Sequence, residues 1–436
     1  MEMRTFRVCA CGDPRCPESP PETQEAAARG TFSGRDMERM RSMAQEFQMR
    51  GERSFNYAAE PGFTNASPSR EPETSEDEDL LEELREKVEQ WIAEAPSQTF
   101  EDIIGNEEAL SQLRDAIRAP VEEAELYELY GLRMPKGALL SGPPGCGKTM
   151  FAKAAASEMK RLYGEDVDMI SISGSSIQAP FVGVTEGYIK DIFAYARQYK
   201  KVNGHPLLVF IDEAEVLFPD RTGRVRKVAP WEESQVATFL AEMDGMEECG
   251  AFVLLASNRP EVMDSALLRD GRCDFKIKVA RPTPEALEGI LRNNFAGIFS
   301  KVPVDELVFN ALEAFLDPHR VLLDFHDMIQ SFEDWFKARG FEVKDEASMA
   351  KLRTIKRQRF TFEMIVNGAM AASVPMRAKR RAFSRDRAAG TKEGVIAQDV
   401  LLAVTDIFEE NKGLDHSYAL QEFMKGVEAE LKEIGR

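Results

Sequence analysis

The chain has 436 residues, 43% hydrophobic and 30% charged, and its 56 basic against 75 acidic residues leave a net charge of −19. That is about three domains' worth of polypeptide with enough apolar residues for sizeable cores. The acidic balance excludes a uniformly basic nucleic-acid binder, though not a local basic groove.

Residues 1–76 are rich in Pro, Ser, Glu and Gly and are expected to be a mostly disordered tail, because they bury too little apolar surface to offset their ordering entropy. A short helix over Arg35–Arg50 is the exception, with Met37, Met40, Met43 and Phe47 on one side. Met1-Glu-Met-Arg-Thr-Phe-Arg7 has no apolar run behind its charges, so no secretory signal is expected. Cys9, Cys11 and Cys16 fall short of the four ligands of a structural zinc. Six cysteines in all make no disulfide scaffold and point to a reduced, cytoplasmic chain. No apolar run nears the ~18 residues of a membrane span, so no membrane association is expected. None of His205, His319, His326 and His416 belongs to an HExxH pair, so no zincin site is expected.

Residues 77–98 read as an acidic helix and linker. Leu81, Leu84, Val88 and Trp91 follow the 3-4-3 spacing of one helix face, which either packs on the next domain or self-associates. From 99 to 283 the apolar runs GALLS (137–141), DMISIS (168–173), PLLVFI (206–211) and AFVLLA (251–256) alternate with helical patterns such as Thr149–Leu162 and Tyr188–Tyr199. Continuous apolar runs are those of strands buried on both faces, so the fold class is α/β, a parallel sheet sandwiched by helices. Residues 284–436 carry helical patterns only and are expected to form a second, all-α domain.

Gly142-Pro-Pro-Gly-Cys-Gly-Lys-Thr149 lies between a strand and a helix, the context of a phosphate-binding loop. Its glycines let backbone N–H groups curl around phosphate oxygens at the positive end of the helix. Lys148 is placed for the β- and γ-phosphates of ATP, and Thr149 for Mg²⁺. Asp212 ends a buried strand as a second Mg²⁺ ligand, and Glu213 beside it is the candidate general base. Asn258 ends another strand, where its amide can orient the lytic water.

These three motifs, in this order, resemble the AAA family of ring-forming ATPases. The likeness begins at Phe100-Glu-Asp-Ile-Ile-Gly105 and continues through PKGALLSGPPGCGKTMFAKA, FLAEMDGM (239–246) and SNRPEVMDSALLRDGRCD (257–274). The resemblance implies a P-loop NTPase domain followed by a helical lid. It implies Asp102, Ile103 and Gly105 around the adenine, and Pro144, Gly145, Cys146, Gly147, Lys148, Thr149 and Met150 around the phosphates. It also implies Arg269 and Arg272 as arginine fingers reaching a neighbour's site, hence a homo-hexameric ring with ATP at each interface. Phe181 and Val182 stand where the family carries its pore loop, a grip for an extended polypeptide. The FVGV string (181–184) looks most like the membrane-anchored AAA proteases, and Asp244-Gly245-Met246 resembles their inter-subunit signalling motif. The basic loop 220–227 would face the pore from below.

Three features depart from the family pattern. Phe362 and Glu363 stand where the lid's nucleotide-touching helix usually begins with Gly-Ala, so that pair is expected to be missing. Extra sequence at about 317–357 reads as an insertion on the rim. Lys432-Glu-Ile-Gly-Arg436 lacks the hydrophobic-Tyr-any ending by which proteasomal ATPases dock, so it gives no support for a proteasome partner and leaves open whether a protease partner exists. The expected function is ATP-dependent protein remodelling or unfolding, a hexamer driving polypeptide through its pore, with the N-terminal region recruiting substrate or adaptor. The alternative is a nucleic-acid remodeller or loader using residues 351–392, where twelve basic residues face two acids; nucleic acid is the less expected partner.

Overall fold

Alternation decides where the sheet lies. In PLLVFI, Leu208 and Phe210 turn to one side while Leu207, Val209 and Ile211 turn to the other, and all five are buried. The computed structural model describes residues 5–9, 54–58, 75–93, 97–164, 168–178, 183–221, 228–244, 249–269, 271–324 and 359–412. It divides into two units, Met1–Asp79 and Leu80–Arg436.

In the first unit, strands β1 (Thr5–Cys9) and β2 (Ser54–Ala58) pair antiparallel, with Thr5 opposite Ala58 and Cys9 opposite Ser54. The reading of residues 1–76 as mostly unstructured did not foresee this ladder. The helix expected at Arg35–Arg50, and Cys11 and Cys16, lie outside the described residues.

Helix α1 (Ser75–Val88) spans the division, and the second unit continues with a 3-10 turn at Glu89–Trp91 and strand β3 (Ile92–Ala93). The expected seam packs on the neighbouring core, with Val88 fully buried, Trp91 edge-on to Tyr188 at 4.9 Å, and Leu81 and Leu84 against the same cluster. The chain then forms α2 (Glu107–Glu122), α3 (Ala124–Leu129), β4 (Gly137–Ser141), α4 (Lys148–Tyr163), β5 (Met169–Ser173) and α5 (Val184–Asn203). There follow β6 (Leu207–Asp212), α6 (Ala214–Leu217), α7 (Pro230–Asp244), β7 (Ala251–Ser257) and β8 (Phe275–Lys278).

The six strands lie in the order β3-β5-β6-β7-β4-β8. All neighbours run parallel except the edge pair β3–β5. The four sequence runs are strands within a residue of their expected limits, whereas β3 and β8 are additions. One face buries Ile172, Phe193, Val209, Phe239 and Leu255, and the other Leu140, Phe151, Phe210 and Leu254. Covered on both sides, the strands need no polar alternation. Register sets Ser173 beside Asp212 and Ser141 beside Ser257, so the segments that follow β4, β6 and β7 leave the sheet at one edge.

Helices α8 (Pro284–Phe295), α9 (Val304–Phe315), α10 (Gly368–Ala389) and α11 (Ala397–Lys412) enclose a separate core that includes Leu291, Phe315, Val374 and Val404. Thr283 caps α8 by accepting from Ala286 N–H, and Asn367 caps α10 by accepting from Met370 N–H at 2.9 Å. The expected helical domain is found with one addition, β9 (Val321–Asp324) and β10 (Arg359–Thr361), which form an antiparallel ladder with Asp324 opposite Arg359. That pairing satisfies backbone groups where the chain leaves and re-enters the helical core. Residues 325–358, most of the expected insertion, lie outside the described residues. Among the described residues no helix is long and apolar enough to cross a membrane.

Candidate active site

A cleft of about 860 Å³ opens between the sheet edge and the helical core. Its floor is the loop from β4 to α4. Gly145 takes φ of +73°, and a Cβ there would sit 2.8 Å from the side chain of Asn367. Glycine is therefore required on both conformational and steric grounds.

Lys148 is 7% exposed and donates from Nζ to the carbonyls of Gly142 and Pro143, each at 2.9 Å, and to Asn258 Oδ1 at 2.7 Å. These acceptors match the three donors of an ammonium. Burial draws its pKa below the ordinary lysine value, opposed by the charges of Cys146, Asp212 and Glu215. Thr149 Oγ1 donates to Asp212 Oδ2 at 3.0 Å, which brings a hydroxyl and a carboxylate from two elements to one point.

Glu213 is held in the left-handed region at φ 52°, where a non-glycine residue is strained by about 1–2 kcal/mol. Its N–H donates to Asp212 Oδ1 at 2.9 Å, its carbonyl accepts from Val216 N–H at 2.9 Å, and Gly174 N–H braces the Asp212 carbonyl at 2.7 Å. The bend turns the Glu213 carboxylate into the cleft, where Ser173 Oγ donates to it at 3.4 Å. The Asn258 N–H donates to Glu215 Oε1 at 3.4 Å, linking the end of β7 to helix α6.

On the opposite wall, Asp102 and Ile103 line the cleft together with Ile104 and Asn106. The turn is fixed by Thr99, whose N–H and Oγ1 both reach Asp102 Oδ2, and by Asn106, which exchanges hydrogen bonds with the backbone of Ala280. Gly105 shapes this turn without lining the cleft, whereas Pro144, Cys146, Gly147 and Met150 line it. Sequence reasoning missed Ile290, Asn293 and Asn294 of α8 and Ser173. The Thr-Pro helix start at 283–284 was the available signal for α8.

The missing Gly-Ala pair is also corrected. Gly368 and Ala369 open α10 and line the cleft, and Ala369 N–H donates to the Gly145 carbonyl at 3.1 Å. Phe362 instead lies six residues earlier and is fully buried, 5.7 Å from the Phe315 ring and edge-on to Phe408 at 5.4 Å. The apolar Phe-Thr-Phe run drew the helix start too early; Asn367, a good cap three residues before Met370, marked it.

Arg269 and Arg272 are not among the residues lining their own chain's cleft. Arg269 is exposed. Arg272 donates from Nε to both Asp244 oxygens at 2.9 Å and from Nη1 to the Ala266 carbonyl at 2.5 Å. That bond to Arg272 holds the Asp244 carboxyl below its usual range. Phe181 and Val182 lie outside the described residues, as do Gly245 and Met246 and residues 222–227 of the basic loop. Three arginines of the basic segment 351–392 are answered within the chain. Arg377 forks onto Glu410 at 2.7 and 2.8 Å, Arg381 pairs with Asp406, and Arg385 with Asp399.

A strand–loop–helix that satisfies a buried lysine, a threonine–aspartate pair and a bent acidic turn at one sheet edge define a P-loop ATPase domain. Residues 138–281 match the family described as "ATPase family associated with various cellular activities (AAA)". Over those residues the chain is similar to the AAA ATPases. It is 32% identical over 333 residues to an "AAA ATPase forming ring-shaped complexes" of Corynebacterium kroppenstedtii, covering 75% of this chain and 55% of that protein. It is 35% identical over 338 residues to a "Proteasome-associated ATPase" of Mycobacterium sp. (strain KMS), covering 75% of this chain and 52% of that protein. A second "AAA ATPase forming ring-shaped complexes", of Corynebacterium jeikeium, is 40% identical over 215 residues, or 49% of this chain and 40% of that protein. The chain spans about half the length of the curated relatives it matches.

Proposed function

We propose that this chain binds ATP with Mg²⁺ in the cleft, hydrolyses it, and uses the cycle to remodel a polypeptide from within a homo-hexameric ring. The observation that carries the reading is the convergence of Lys148, Thr149, Asp212, Glu213 and Asn258 with Gly368 and Ala369 on one cleft. Residues 99–283 would be the ATPase domain and 284–436 the lid.

The donor set fits the ligands. The 3.0 Å hydrogen bond between Thr149 Oγ1 and Asp212 Oδ2 shows two hard oxygens already converged, the ligand type a magnesium ion takes. When bound, Mg²⁺ would supply neutralisation of the phosphoryl charge. Lys148 exchanges carbonyl acceptors for phosphate oxygens, and the α4 N-terminus gives them backbone N–H groups. Glu213 accepts a proton from the attacking water, aimed by its left-handed turn, and Asn258 orients that water. Ile103 and Ile104 with Ile290 offer an apolar wall to a base.

Arg269 and Arg272 would serve a neighbouring copy's site, Arg269 from an exposed position and Arg272 braced by Asp244. Ring formation is stated in the names of two relatives and is carried over here as a proposal. Phe181 and Val182 would grip the polypeptide in the pore, with the N-terminal region recruiting substrate or adaptor. The proteasome association named for another relative stays with that protein. Glu213→Gln tests the reading: it should bind ATP with near wild-type affinity while hydrolysis falls by about 10²-fold or more. Turnover at the wild-type rate would remove Glu213 from the mechanism.

A further inference from the structure

Past helix α6 the chain is laced to the segment that leaves β7. Asp264 N–H donates to the Phe218 carbonyl at 3.0 Å and Asp220 N–H to the Val262 carbonyl at 2.9 Å, around an antiparallel bridge between Pro219 and Met263. Phe218 and Met263 are buried, so this lacing is part of the core. A side-chain pair locks its end. Asp264 is 5% exposed, and Arg221 donates to it from Nε at 2.5 Å, with the Arg221 N–H and Nη2 at 3.4 and 3.5 Å. Burial pushes the Asp264 carboxyl up, but the Arg221 guanidinium and the Ala266 N–H outweigh it and hold it below the usual range. A carboxylate so enclosed depends on its partner, since removing one half of a buried pair strands the other's charge.

The same aspartate is the root of the turn that carries Arg269 and Arg272. Its Oδ1 accepts from Ala266 N–H at 2.9 Å and its carbonyl from Leu267 N–H at 3.1 Å. The carbonyl of Leu267, itself fully buried, accepts from Cys273 N–H at 3.3 Å and so closes the turn. A second tether is Arg272 on Asp244, whose side chain is 45% exposed. To serve a neighbour's phosphate Arg272 must release Asp244, and Asp264 then holds the turn from its root. Glu213, by contrast, is fixed at the sheet edge through Asp212, which Gly174 N–H braces, and neither Arg221 nor Asp264 lines the cleft.

We propose that Arg221 and Asp264 are positioning residues for the neighbouring copy's reaction. Their pair sets the turn so that Arg269 and Arg272 stand in the geometry a transferring phosphoryl group requires. Losing it lowers hydrolysis in the next copy's cleft and leaves the chain's own cleft intact. The inference rests on the ring reading above, which supplies the arginines but not what holds them. Nothing in the sequence singles out the pair, because its members lie 43 residues apart.

The test uses the full chain with ATP and Mg²⁺. Asp264→Asn and Arg221→Gln should each lower kcat about tenfold or more, with KM and fluorescent-ATP affinity unchanged. The double variant should be no slower than the slower single one, as expected of one pair. Complementation separates this role from a merely structural one. Glu213→Gln keeps its arginines but has a cleft that cannot hydrolyse, whereas Asp264→Asn keeps its cleft. Mixed in equal amounts, they should raise turnover per Asp264→Asn chain at least ~3-fold, because about half of those clefts then face intact arginines. Arg269→Ala with Arg272→Ala, mixed with Glu213→Gln, is the reference. Arg221→Gln, which alters the 32%-exposed member of the pair, carries the same test if Asp264→Asn melts early. If the reference mixture recovers and neither pair variant does, or if their ATP affinity falls along with kcat, this inference is wrong and the ring reading stands. If the reference mixture does not recover, the arginines do not act between copies and both readings fall.

Discussion

Gly145 is the residue at which the two walls of the cleft meet. Its carbonyl accepts from Ala369 N–H, its φ is +73°, and the Asn367 amide occupies the space a Cβ would need. Gly145→Ala should thus lose about 1–2 kcal/mol to backbone strain before any clash is counted. Nucleotide affinity should fall about tenfold in a fluorescent-ADP titration, whereas Gly164→Ala, also at positive φ but with open space around it, should leave affinity unchanged. Equal effects would mean that the contact with Asn367 is immaterial. Most of the residues that gather at the cleft were legible in sequence because their motifs are local. A phosphate loop, an Asp-Glu pair after an apolar run, and Asn258 each declare themselves within ten residues. The backbone bend at Glu213 was not legible, since the Gly174 N–H that braces the Asp212 carbonyl beside it comes from a distant part of the chain.

At the scale of elements, length and company decided what could be read. The four long apolar strands were plain, but β8 hid as FKIK, where only Ile277 is fully buried and two lysines interrupt the pattern. Strand β3 has two residues, too few for any periodicity, and exists by pairing with β5. The start of α10 was misplaced because Phe360 and Phe362 are both buried core residues and look like a helix face. The turn from α10 to α11 is organised by Asp386, whose carboxyl is lowered to about 2, first by Gly394 N–H and further by Arg385, Glu393 N–H and Thr391, against desolvation. A carboxyl depressed from its ordinary value near ~3.9 contributes stability that is complete above about pH 4 and fades as pH falls toward about 2. Asp386→Asn should lower the melting temperature at neutral pH and flatten its fall between about pH 4 and 2. A variant curve parallel to wild type across that window would assign the acid sensitivity elsewhere.

For the whole molecule, the net charge of −19 turns out to be compartmented. Three of the five arginines of helix α10 are answered by Glu410, Asp406 and Asp399 of α11, and these tie the two helices together. That pairing was invisible in sequence because it joins residues 14 to 33 apart across two helices. The sheet and the helical bundle have separate cores, and the cleft lies where they meet. Where the family implied contact with other chains, the sequence could name candidates such as Arg269 but not which surfaces meet.

The β9–β10 ladder has a further consequence for how this protein can be altered. Asp324 and Arg359 face one another across paired backbones, so whatever joins them departs from and returns to a single fixed point. Ring-closure cost grows only slowly with the length of such a segment. The position should therefore act as a port, at which sequence can be exchanged while the β9–β10 pairing is kept. Replacing residues 326–357 with Asn-Gly should retain the helical core and nucleotide binding, read by thermal melting and ADP titration. Loss of both would show that the segment is part of the core instead. If the port holds, a fluorescent domain spliced there would mark the helical bundle, with the cleft left as it is.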